Sequence, residues 1–131
     1  MKQILVTGCR GQLGNELQLL APQYADTCRF HFTDREELDI TDRRAVFDFI
    51  ESHSIAIVIN CAAYTAVDRA EEDKSLCMAV NVTGVRNLAS AAAENGICNS
   101  IVKTSAKPSI FIQFFLCFES ISAHPFILYL F

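Results

Sequence analysis

Apolar residues alternate between short runs and helical stripes along most of the chain. Residues 4–6 (ILV) are an uninterrupted β-prone run ended by glycine, the pattern of a buried strand. Residues 15–20 follow at helical spacing, with Leu13, Leu17 and Leu20 on one stripe, and Pro22 stops the pattern. Residues 29–33 (RFHFT) alternate and are aromatic, which predicts a second strand ending at Asp34. Thr41 and Asp42 then open a helix that turns Val46, Phe47, Phe49 and Ile50 inward. Residues 55–59 (IAIVI) predict a third strand, continuous in its apolar character as parallel buried strands are. Residues 69–95 predict a long helix with Leu76, Val80, Leu88, Ala91 and Ala92 on its apolar stripe and Asn95-Gly96 as its stop. Residues 100–103 are expected to begin a fourth strand. Strands alternating with helices predict an α/β fold, a Rossmann-like parallel sheet of about four strands with helices on both faces.

Length and charge narrow the function classes. The chain has 131 residues, one domain's worth, and a net charge of −4 with acids and bases intermixed. A nucleic-acid partner would call for a basic face, so none is expected. No cationic stretch leads into an apolar segment at the start, which predicts no secretory signal and a cytoplasmic location. The six cysteines are scattered without a C-x-x-C pair, so neither a metal site nor a disulfide framework is expected.

Composition breaks near Pro108. Six of the ten phenylalanines lie beyond it (Phe111, Phe114, Phe115, Phe118, Phe126, Phe131), while nearly all the charge lies before it. The chain therefore divides into residues 1–104 and a divergent apolar tail, 105–131. A membrane span is not expected there: residues 110–118 fall short of the ~20 a spanning helix needs, and Glu119, His124 and Pro125 interrupt the remainder. The tail reads as a cover for a sheet edge or as the product of a frame change; the coincident break in composition and motif favours the frame change.

The stretch TGCRGQLG carries the chemistry. Gly8, Gly11 and Gly14 lie between a strand and a helix, where unpaired backbone N–H groups and the helix dipole favour an anion. Glycine lets the chain turn sharply and lets a pyrophosphate approach without a Cβ in the way. Asp34 ends the second strand 26 positions after Gly8, near the roughly 20-residue offset of a ribose-binding carboxylate. The competing reading is a tight turn with close helix–strand packing. Asp34 would accept from ribose hydroxyls, which suits NAD, whereas the adjacent Arg35 could meet a 2′-phosphate; the choice of cofactor stays open, as does a solvated Asp34–Arg35 pair.

TGCRGQLG also resembles the extended short-chain dehydrogenase/reductase family. Three further stretches, LDITD (38–42), NCAAYTAVDRAE (60–71) and AVNVTGVRNLASAA (79–92), together with GQLGNEL, resemble the dTDP-4-dehydrorhamnose reductases within it. That resemblance covers residues 2 to about 97. It implies a sugar-nucleotide 4-keto reduction with NADPH or NADH, in dTDP-L-rhamnose synthesis. By motif, Gly11, Gln12 and Leu13 would line the pyrophosphate, Asp34 would meet the ribose, and Asp39 and Ile40 the adenine. Ala63, Tyr64 and Thr65 would lie along the nicotinamide, and Asn81 stands at the family's asparagine. Small residues such as Ala62 and Ala63 leave room for a flat group at a strand end.

The resemblance fails beyond the long helix. The family continues with STDYVF and then Tyr-x-x-x-Lys; this chain has SIVKTSAKPSIF, with Thr104 as a weak candidate for a substrate-side hydroxyl. Tyr24 is followed at that spacing by Cys28, Tyr64 by Asp68, and Tyr129 lies near the end of the chain. No catalytic residue is assigned. A positioned acid contributes roughly 10²–10⁴-fold in rate, so the expectation is a cofactor-binding part inactive alone. The alternatives are a non-catalytic dinucleotide-binding module and a non-functional truncated product. A dTDP-sugar partner is expected only of the full-length family, and the oligomeric state is left open.

Overall fold

The computed structural model of the chain describes residues 1–63 and 74–97. Three strands, β1 (Lys2–Thr7), β2 (Cys28–Thr33) and β3 (Ile57–Asn60), form one parallel sheet in the order β2-β1-β3. The first strand is thus central, and the chain crosses it between β2 and β3. Such a reversal opens a crevice at the carboxyl ends of the strands. The register brings Thr7 level with Thr33 on one side and Asn60 on the other.

Both faces of the sheet are covered, which is why the strand sequences are apolar without interruption. On one face Ile4, Val6, Ile57 and Ile59 pack with Leu17 of α1 (Gln12–Leu20). On the other, Leu5 and Val58 pack with Val46 and Ile50 of α2 (Arg43–Ser52) and with Leu88 and Ala91 of α4 (Val85–Glu94). Each such Leu, Ile or Val contributes about 1.5–3 kcal/mol by leaving water. The predicted helical stripes are the buried ones, with Leu13, Leu20, Phe47 and Phe49 half-buried at their margins.

Element ends shift where hydrogen bonding outruns the apolar pattern. β1 begins at Lys2 rather than Ile4, its amide donating to the Thr27 carbonyl at 2.9 Å. β3 begins at Ile57, because the Ile55 amide is engaged by the Ile50 carbonyl at 3.0 Å instead of the ladder. Pro22 does not simply end α1: it sits in a 3₁₀ turn, Ala21–Tyr24, where its fixed φ is tolerated. α2 is opened by Asp42, whose carboxylate accepts from the Arg44 and Ala45 amides at 3.0 and 3.1 Å.

The described part of the long helix is interrupted. After α3 (Lys74–Met78) the chain widens into a π-helical segment, Ala79–Gly84, before α4. Gly84 is buried, and a Cβ there would stand 2.6 Å from Ile40 Cδ1. Asn87 donates to the carbonyls of Ile40 and Thr41 at 2.9 and 3.0 Å, strapping α4 to the segment between β2 and α2. The predicted stop is a Schellman motif: Gly96 has φ +65°, its amide donates to Ala93 O, and the Ile97 amide donates to Ala92 O at 2.9 Å. The expected fourth strand and the 105–131 tail lie outside the described residues. Among those described, no helix is long and apolar enough to cross a membrane.

Two outcomes follow for stability. Asn87→Ala takes this donor from one buried and one half-buried carbonyl and lowers the unfolding free energy by about 1–3 kcal/mol in chemical denaturation. His31 is held below its ordinary 6.5 by burial, then by the charges of His53 and Arg29. Its Nε2 is 2.8 Å from Gln3 Oε1, and its ring meets those of Phe49 and His53 edge-on. The unfolded chain therefore binds the proton more readily than the folded one. Stability is full above about 6.5 and falls as pH drops through the folded value. Melting at pH 7.5 and 5.5 will show this loss, and His31→Gln will reduce it.

Candidate functional site

The three glycines of the loop between β1 and α1 stand there for three different physical reasons. Gly8 has φ +65°, and a Cβ on it would come within 2.5 Å of the Ala62 nitrogen just past β3. Gly14, inside α1, would drive a Cβ to 2.5 Å from Cys9 Cα. These two are demanded by turn and packing. Gly11 is different: it is exposed and extended (φ −74°, ψ 173°), and a Cβ would meet only Gly8 O, at 3.4 Å. No described atom crowds a side chain there, so the position is open to close approach by a ligand.

Gly11 is also the N-cap of α1, and it has no side chain to cap with. The amides of Gln12, Leu13 and Gly14 are the helix's opening N–H groups, for which an α-helix provides no partner. The loop's carbonyls, which would repel an anion, are instead held by side chains of α1. Gln18 Nε2 donates to Cys9 O at 2.7 Å and Asn15 Nδ2 to Arg10 O at 3.2 Å. Gln12 is exposed and Leu13 half-buried against the core.

Asp34 faces this loop from the end of β2. Its Oδ2 accepts from the Arg10 amide at 3.1 Å and its Oδ1 from the Arg35 amide at 2.8 Å. Each carboxylate oxygen keeps a second lone pair for a hydroxyl donor. The Arg10 side chain reaches Glu36 at 2.9 Å and Glu37 at 3.1 Å. Hydrogen bonding to Arg10, then its charge, holds the Glu36 carboxyl below its usual range.

The far wall is the end of β3. The Thr7 hydroxyl donates to Asn60 Oδ1 at 2.6 Å, and the same oxygen accepts from the Ala62 amide at 3.1 Å. Asn60 Nδ2 is the one buried side-chain donor without a partner among the described residues. Cys61 lies here too, its thiol pushed up to about 12 by burial, and further by Cys9.

Several expected residues prove to have structural duties. Asp39 folds its own turn: Oδ1 accepts from the Thr41 amide at 2.9 Å and hydroxyl at 2.7 Å, which holds its carboxyl below the usual range. Ile40 is buried against Gly84, so little of its side chain remains to lie on a ring. Asn81 donates to Cys77 Sγ at 3.3 Å. Ala63 ends the described segment, half-exposed, and Tyr64, Thr65 and Thr104 lie outside the described residues. The sequence pattern does not single out Arg10, Glu36, Glu37, Asn60 or Asn87. Asn60 and Asn87 had a signal, each being an amide set in a run or stripe of otherwise apolar residues.

A family model described as RmlD substrate binding domain matches residues 1–107. The chain belongs to the RmlD family. Among its relatives, the dTDP-4-dehydrorhamnose reductase of Aggregatibacter actinomycetemcomitans is 45% identical over 94 residues, covering 70% of this chain and 31% of the relative. The Bacillus anthracis dTDP-4-dehydrorhamnose reductase structure, solved in complex with NADP, superposes with a TM-score of 0.71 at 34% identity, covering 79% of this chain and 36% of that one. The Clostridium acetobutylicum reductase structure gives a TM-score of 0.71 at 39% identity, with 80% and 39% covered. The chain thus spans about a third of the length of the curated relatives it matches. The RmlD match agrees with the Rossmann-like reading and with the resemblance carried by the motifs.

The glycines separate by experiment. Gly14→Ala lowers stability by about 1–3 kcal/mol, as overpacking does, and Gly8→Ala does so by a similar or larger amount because φ is positive as well. Gly11→Ala lowers stability by no more than about 1 kcal/mol, the difference between glycine and alanine at an N-cap, yet weakens dinucleotide binding. Cys61 resists iodoacetamide at pH 8 in the folded chain and is modified on unfolding, read by peptide mass mapping.

Proposed function

We propose that residues 1–104 form the cofactor-binding part of an NAD(P)H-dependent dTDP-4-dehydrorhamnose reductase, and that this chain binds the dinucleotide without turning over substrate alone. Gly11 carries the reading: it is a glycine that protein packing does not require, at the uncapped start of α1 and beside the crevice of a parallel sheet. The pyrophosphate would sit on the Gln12, Leu13 and Gly14 amides, and Asp34 would take the adenosine ribose. Asp39 and Ile40 would lie toward the adenine, with Ala63, Tyr64 and Thr65 toward the nicotinamide. A bound dihydronicotinamide supplies a hydride. The sequence contains no Tyr-x-x-x-Lys to hold and deliver the matching proton. Thr104 would be the one hydroxyl on the substrate side. The partner is a dinucleotide in the cytoplasm, and a dTDP-sugar belongs to the longer relatives.

The same glycine loop and Asp34 also support a second reading, a dinucleotide-binding module with no catalysis. Calorimetric titration with NADPH and NADH at about millimolar concentration, a range that captures weak sites, is expected to give saturable heat. No heat with either would reject both readings. Mixing the chain with NADPH and the 4-keto sugar nucleotide is expected to leave the 340 nm absorbance unchanged; oxidation coupled to the sugar would show that the chain is active alone.

A further inference from the structure

We infer that Glu36 and Glu37 set the preference between NADPH and NADH, by competing with the 2′-phosphate for Arg10. The inference rests on the dinucleotide reading above. Arg10 belongs to the glycine loop, yet its main chain is tied to Asp34, the carboxylate expected at the adenosine ribose. A phosphate on that ribose would enter within a side chain's length of the Arg10 guanidinium. The guanidinium is already engaged, its Nη2 bonded to Glu36 Oε2 at 2.9 Å and to Glu37 Oε1 at 3.1 Å.

The surrounding charge makes this engagement matter. The end of β2 gathers the carboxylates of Asp34, Glu36, Glu37 and Asp39 around the guanidiniums of Arg10 and Arg35. Arg35 stands nearest Asp39, 3.9 Å away. A 2′-phosphate adds a further anion to a cluster already short of cations, so its binding depends on Arg10 leaving the two glutamates. That exchange is feasible because the pairs are exposed: the side chains of Arg10, Glu36 and Glu37 are 57%, 75% and 47% accessible. Exposed ion pairs are weak, and phosphate offers arginine a bidentate, doubly charged acceptor. NADH presents a ribose hydroxyl instead and needs only the Asp34 carboxylate.

The test measures dissociation constants of NADPH and NADH for the full chain at low salt. Glutamine at 36 and 37 keeps an acceptor for the Asp34 amide, which Glu37 Oε2 receives at 2.8 Å, while removing the charge. The double variant Glu36→Gln/Glu37→Gln is expected to bind NADPH about three- to fivefold more tightly, the scale of one exposed ion pair. Its NADH affinity should move by less than about twofold, within the spread of exposed substitutions. Asp48→Asn/Glu51→Gln on α2 carries the same change in net charge and is expected to leave the ratio of the two constants unchanged. Adding Arg10→Gln to the glutamine pair should abolish the gain. An unchanged ratio in the double variant, or a gain that survives Arg10→Gln, overturns the inference while leaving the dinucleotide reading intact. If the parent chain binds neither dinucleotide, the reading itself fails, and the inference with it.

Discussion

The architecture hangs on the approach of one glycine to the end of a neighbouring strand. Gly8 leaves β1 with φ +65° and lies so close to Cys61 and Ala62 that any Cβ would overlap backbone. Around that contact the strand ends are fastened together. Cys9 donates to Thr33 O, Cys61 donates to Thr7 O, and Thr7 bonds Asn60 across the ladder. The loop's path is thereby fixed from both sides before α1 begins. A helix start held this way presents its amides in a set direction, at no cost in reorganisation when an anion arrives. The sheet is the rigid element, and the loop borrows its rigidity.

Most of the fold was legible because period and punctuation agreed. Apolar runs at residues 4–6 and 55–59, with stripes through Leu17, Val46 and Leu88, mark elements buried on known faces. Asn95-Gly96 marks its helix end to the residue. The boundaries that moved did so where backbone hydrogen bonds, invisible to an apolar pattern, extend or withhold a ladder, as at Lys2 and Ile55. The π-helical segment could not be read at all. Ala79–Gly84 has ordinary helical composition, and its widening accompanies the tight packing of Gly84 on Ile40, a contact 44 positions away in sequence.

The site was legible in outline only. Spacing picked out three glycines and an aspartate, but it treated the glycines as equivalent. Only the folded structure distinguishes Gly8 and Gly14, where a Cβ would overlap backbone, from Gly11, where it would not. Asp39 and Ile40 show the converse: motif position singled them out for a ligand, while their side chains are committed to a turn and to the core. Arg10 carries no signal of its own in the sequence, because an arginine between glycines has no periodicity. Its meaning lies in Glu36 and Glu37, brought beside it by the parallel pairing of β1 with β2.

Among the described residues, several departures from local rules gather at the carboxyl edge of the sheet, while Ser54, with φ 49° between α2 and β3, is a departure elsewhere. α2 opens with an aspartate that caps two amides, and α4 closes with a Schellman glycine. α1 opens on a glycine that caps none, where Ser, Thr, Asp or Asn would stabilise it by roughly a few tenths of a kcal/mol. Asn60, wholly buried at the end of β3, leaves a donor unpaired among the described residues, a cost of about 1–3 kcal/mol. Gly8 holds a positive φ and Cys61 buries a thiol on the same edge. Local rules broken together along one edge are what a site shaped for something other than stability is expected to show.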